Sequence, residues 1–87
     1  MIKRKVKITR EKEDPAKRAV SFVNMADQFA CEIHFQVNDV TYNGKSVISV
    51  MIADFAPEQI LEVICDGEEE KEAIDVVCQW FQSENKR

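Results

Sequence analysis

Between residues 31 and 37 the chain alternates without a fault: Cys31, Ile33, Phe35 and Val37 are apolar, while Glu32, His34 and Gln36 are polar. A strand sends successive side chains to opposite faces, so this run belongs in a sheet with one buried and one wet face. Such a sheet needs a covering layer. The neighbouring segments supply it as amphipathic helices.

Upstream, Ile2, Arg4, Val6 and Ile8 alternate with Lys3, Lys5, Lys7 and Thr9, which predicts a first strand over 2–9. Asp14-Pro15 reads as an N-cap followed by proline at the first helical position. Ala19, Phe22, Val23, Ala26, Phe29 and Ala30 follow at helical spacing, so a helix is expected over about 15–29. After the central strand, Asn38-Asp39 forms a tight hairpin turn into a short strand at about 40–42. Asn43-Gly44 breaks it, and Ser46 caps a short helix that carries Val47, Val50 and Met51 inward. Leu61, Val63 and Cys65 alternate with Glu62 and Asp66 as a fourth strand. A last helix follows, with Glu68, Glu69 and Glu70 near its positive end and an inward stripe of Ala73, Ile74, Val77, Cys78 and Phe81, with Trp80 beside it. The string β-α-β-β-α-β-α gives an α+β sandwich, three helices on one face of a four-stranded antiparallel sheet. Two strand orders fit it, a ferredoxin-like one and one in which strands run 1-4-2-3.

The 87 residues have room for one domain, spanning 1–87. No apolar run approaches a membrane span, and the basic start lacks the apolar stretch of a signal peptide, so no membrane partner and a cytoplasmic setting are expected. Cys31, Cys65 and Cys78 are odd in number and widely spaced, which argues for buried small hydrophobes over disulfides or zinc ligands. The first twenty residues hold eight Lys or Arg against Glu11, Glu13 and Asp14, while the remainder is acidic. A basic arm for nucleic acid is one reading of that asymmetry. The strand-like alternation of Lys3, Lys5 and Lys7 favours a solvated sheet face instead. No metal, nucleotide or glycine-rich phosphate motif is present, and no cofactor is expected.

The stretches Ala26-Asp27-Gln28-Phe29, Glu32-Ile33, Asn43-Gly44-Lys45-Ser46 and Val50-Met51, with Gly67 and Ala73, keep the unbroken spacing of a bacterial HPr. The chain therefore resembles the HPr family of the sugar phosphotransferase system over nearly its whole length. That resemblance implies an open-faced β-sandwich with strand order 1-4-2-3, which sets Lys5 or Lys7 beside Glu62 on the exposed face. It also implies a partner surface on the exposed sides of helices one and two, formed by Lys17, Val20, Asn24, Asp27, Ser46, Val47, Ile48, Met51 and Ile52. Val20, Ile48 and Ile52 would make an apolar patch there unless the fold buries them more deeply.

Family members carry G-[IL]-H-A-R-P at the start of helix one, and its histidine relays a phosphoryl group. This chain has Glu13-Asp14-Pro15-Ala16-Lys17-Arg18, so Pro15 stands at the histidine's place and cannot be phosphorylated. Glu13 and Asp14 are expected to set carboxylates at the positive helix end, where they repel a further dianion. No catalytic residue is expected; a carrier acting through His34, Asp14 or Glu13 is the alternative reading, and a ferredoxin-like binding domain a further one. Many Gram-positive relatives are phosphorylated by a serine kinase at the serine after the lysine, which is Ser46 here, and then bind a LacI-type transcription regulator. The resemblance thus implies partners among phosphotransferase-system components, a serine kinase or a transcription regulator. Ile48, Ser49, Asp54 and Pro57 depart from the family pattern on that side of the molecule.

Overall fold

The computed structural model describes residues 1–82. Its elements are β1 (Ile2–Lys7), α1 (Pro15–Ala26), β2 (Cys31–Val37), β3 (Val40–Asn43), α2 (Val47–Ile52), β4 (Ile60–Gly67) and α3 (Glu70–Gln82). The four strands form one antiparallel sheet in the order β1-β4-β2-β3. The strand order is thus the HPr one, and the ferredoxin-like alternative falls.

The alternation read in 31–37 holds residue by residue: Cys31, Ile33, Phe35 and Val37 are buried beneath the helices. Asn38 and Asp39 both take positive φ, 54° and 65°, the backbone of a two-residue hairpin whose twist matches its strands. Phe22, Phe35, Phe55, Trp80 and Phe81 stack mostly edge to face at the centre of the core, joining α1, the sheet, the loop before β4 and α3. The three cysteines are buried free thiols. Burial pushes all three up, Cys65 to about 12, which leaves them protonated and unreactive at neutral pH.

Three expectations need correction. The ladder of β1 stops at Lys7 opposite Ile60, because Ile8 instead exchanges backbone hydrogen bonds with Glu58 and Gln59 while Thr9 and Arg10 both donate to Phe81 O. Helix α1 ends at Ala26 rather than 29. Beyond it the hydrogen bonds tighten to Gln28 N–Met25 O and Phe29 N–Ala26 O, and the Lys45 ammonium donates to Phe29 O. Phe29 keeps its helical spacing because it still packs against the core from that turn. In α2 only Val50 is buried. Val47 and Met51, expected inward, are each 38% exposed, because a helix of six residues rests on the core through one side chain.

On the open face Lys5 lies opposite Glu62 in the register of β1 and β4, whereas Lys7 reaches Glu58 at 3.0 Å. The basic face of β1 is therefore interleaved with carboxylates and forms no continuous cationic strip.

Candidate docking surface

Helix α1 begins where the local sequence dictates. Pro15 fills the first helical position, where a missing N–H costs nothing, and the Asp14 carboxylate accepts from Lys17 N–H at 3.1 Å. Pro15 is exposed, and its nitrogen is locked in the peptide bond. Glu13 does not join Asp14 at the helix end as expected. Arg10 takes it in a fork, Nε to Oε1 at 2.6 Å and Nη2 to Oε2 at 3.5 Å, while the same guanidinium lies 4.0 Å over the Trp80 ring. One carboxylate, not two, therefore faces the helix N-terminus.

One turn on, Arg18 points inward and is only 7% exposed. Its guanidinium lies 4.0 Å over the Phe55 ring and donates to Ala53 O at 3.3 Å and Phe55 O at 3.4 Å, while its Nε finds no partner. Burial lowers the proton affinity of this group, and the nearby charges of Glu13 and Asp54 act the other way. Arg18 thus ties α1 to the loop that leaves α2, a role its sequence neighbours do not betray.

Ser46 caps α2: its Oγ accepts from Ser49 N–H at 3.2 Å, and its carbonyl accepts from Val50 N–H at 3.0 Å. Ser49 also accepts from Asn43 N–H at 2.9 Å, and Asn43 Oδ1 accepts from Lys45 N–H at 3.0 Å. The polar spacing Asn43, Ser46, Ser49 carries this network, of which the sequence gives the Ser46 cap but not the bonds of Asn43 and Ser49. Ser46 itself is half-buried.

Helices α1 and α2 pack against each other and present one continuous side. On it Lys17, Asn24 and Asp27 are exposed, and Val20, Ile48 and Ile52 are 49%, 70% and 69% exposed, so the deeper burial considered for these three does not occur. Val47 and Met51 join them, and a shallow recess lies against Ala16, Lys17, Val20 and Ser21. His34, the chain's single histidine, sits elsewhere. It lies half-buried in β2, on the opposite side of the sheet from the helices, with Asn43 and Ile64 as its register partners. Among the described residues no group of three or more His, Cys, Asp or Glu side chains is arranged to hold a metal ion, and no helix is long and apolar enough to cross a membrane.

Fold and surface together define a small open-faced sandwich with exposed apolar side chains on its two packed helices α1 and α2. Within that class the chain belongs to the HPr family of the phosphotransferase system: the family described as the PTS HPr component phosphorylation site matches residues 2–83. It is 31% identical over 74 residues to the phosphocarrier protein HPr of Neisseria meningitidis serogroup A, covering 85% of this chain and 83% of the relative. It is 25% identical over 84 residues to the HPr-like protein Crh of Bacillus subtilis, covering 97% and 99%. The crystal structure of an HPr from Bacillus anthracis superposes with a TM-score of 0.85 at 21% identity, over 93% of this chain and 96% of that one, a likeness of fold. Proteins of this family are phosphocarriers and their relatives, and they work through contact with other proteins of the phosphotransferase system.

Proposed function

We propose that this chain is a non-catalytic, regulatory member of the HPr family that acts in the cytoplasm through protein–protein contact on the shared face of α1 and α2. The observation that carries this reading is Pro15 at the first position of α1, with Asp14 as its cap. If the family's histidine belongs there, the chain has no side chain at that point able to accept a phosphoryl group. Nor does the only imidazole substitute, since the sheet separates His34 from that helix end. Similarity across 97% of the chain to the HPr-like protein Crh supports the same reading.

Ser46 is the proposed control point. A phosphate on its Oγ would place strong acceptor oxygens beside the Ser49 N–H it already accepts from, at the edge of the apolar patch of Val47, Ile48, Met51 and Ile52. The partners this chemistry fits are a serine kinase and a transcription regulator of the LacI type. Incubation with enzyme I and labelled phosphoenolpyruvate should leave the chain unlabelled, and acid-labile label that disappears in His34→Ala or Asp14→Ala would overturn the reading in favour of a carrier using another residue. Binding of the Ser46-phosphorylated chain to a LacI-type regulator should be lost in Ile48→Lys with no change in thermal stability; binding that survives the lysine puts the contact elsewhere.

A further inference from the structure

Asn43 and Gly44 form the turn that takes the chain from the edge strand β3 into α2. An Asn–Gly bond is chemically vulnerable, because glycine has no Cβ to shield its amide nitrogen from the preceding carboxamide. Attack of Gly44 N on Asn43 Cγ forms a C–N bond and closes a succinimide ring, and the side-chain nitrogen leaves as ammonia, carrying the displaced amide proton. One water then opens the ring at either carbonyl, leaving aspartate or isoaspartate at position 43. Water enters and ammonia departs; no oxidant or reductant is needed.

In the fold every group that must move is tied down. Gly44 N–H donates to Ile33 O at 2.7 Å, so the attacking nitrogen is held against β2. Asn43 Oδ1 accepts from Lys45 N–H, and Asn43 N–H donates to Ser49 Oγ, so both the carboxamide and the backbone before it are fixed. Gly44 is also packed tightly: a Cβ added to it would lie 2.9 Å from Ile33 Cγ2, Ile33 O and Phe22 Cε1. Ring closure requires the Gly44–Ile33 and Lys45–Asn43 hydrogen bonds to break, which unseats this turn from the sheet.

We propose that Asn43–Gly44 is a deamidation site held shut by the fold, which reacts when the β3–α2 connection opens and then remodels the surroundings of Ser46 irreversibly. Aspartate adds a carboxylate next to Gly44 and two residues before Lys45. Isoaspartate also adds a methylene to the backbone where Gly44 fits against Ile33 and Phe22, so the Gly44–Ile33 hydrogen bond and the Ser46 cap cannot both re-form in register. The chemistry stands apart from the proposed function; only its effect on docking rests on that reading.

The test is ageing of the folded chain and of the chain in urea at the same mildly alkaline pH, with peptide mapping of the one-dalton mass gain and isoaspartate methyltransferase labelling. Folded protein should react at least about 25-fold more slowly, a factor of about five for each of the Gly44 and Lys45 hydrogen bonds. Equal rates in the two states would overturn the gating, and a gain that persists in Asn43→Gln would overturn the site. Ser49→Ala, which frees Asn43 N–H, should speed the reaction several-fold in the folded state only, and an unchanged folded rate removes the link to α2. Hydrogen exchange at Ser49 and Val50 in the isolated isoaspartate product reads α2 without any partner. Raised exchange is expected, and unaltered protection would refute the remodelling whatever the chain docks to.

Discussion

Arg18→Met should leave the stability of the fold nearly unchanged, although the guanidinium it removes bridges two elements. The losses are modest. At 3.3 and 3.4 Å the bonds to Ala53 O and Phe55 O are long, worth about 0.5–1 kcal/mol each rather than the ~1.5–3 of a short charged bond. Stacking on Phe55 adds about 1–2 kcal/mol. Against this total of roughly 2–4 kcal/mol stands relief of a buried Nε without a partner, about 1–3 kcal/mol, and part of the cost of desolvating a cation that is 7% exposed. The two sides cancel to within about 1 kcal/mol, since methionine also fills most of the space of the arginine stem. Arg18→Ala is the contrast: it gains the same relief but opens a cavity between α1 and Phe55, and should cost about 2–4 kcal/mol. Urea unfolding followed by circular dichroism separates the two, and in thermal melts their midpoints should differ by about 10–30 °C. A methionine variant destabilised by more than about 2 kcal/mol at unchanged m-value would show that the charge itself holds the loop, and the reasoning would fail.

Three further outcomes follow from the same contacts. Gly44→Ala should destabilise the fold by about 1–3 kcal/mol in thermal melts, because its Cβ meets the Ile33 backbone oxygen, which cannot swing away; an unchanged melt would mean that the turn is loosely seated. Asp14→Ala should cost about 1 kcal/mol through loss of the Lys17 N–H cap, and Asp14→Asn much less, as read by the same unfolding assay. Glu70 accepts from Gly67 N–H at 2.9 Å, and that bond is the main cause holding its carboxyl below the usual glutamate range. A depressed carboxyl contributes stability that is present above the unfolded value and lost as pH falls through the folded one. The wild type should therefore lose more stability than Glu70→Gln on acidification below the ordinary glutamate pKa, and parallel acid profiles would contradict that assignment.

How far the sequence reveals this molecule depends on whether a residue's neighbours are local. The register of β2, the Asn38-Asp39 turn and the Asp14 cap depend on residues a few positions apart, and all three follow from alternation or turn chemistry. Arg18 does not, because its burial is created by Phe55, 37 positions away, and beside Lys17 it reads as one more solvated cation. Glu13 misleads for a similar reason: its partner Arg10 is near in sequence, but the guanidinium is held by Trp80 in the last helix. The facing of α2 was illegible because six residues give too short a window for a helical stripe to declare itself. Spacing alone points Val47 and Met51 inward while the family resemblance sets them on the exposed side, and the burial of Val50 alone decides for the second.

The path from β1 to α1 is moored at the far end of the chain. Thr9 and Arg10 N–H both donate to Phe81 O, the Thr9 hydroxyl donates to Gln82 O, and Arg10 spans Glu13 and Trp80. These bonds give the carbonyls of Phe81 and Gln82 donors from the β1–α1 connection. Exchange of the first strand between two copies requires this segment to straighten like a hinge. A copy that lent its first strand to a neighbour would have to give up the bonds that Thr9 and Arg10 make to the last helix.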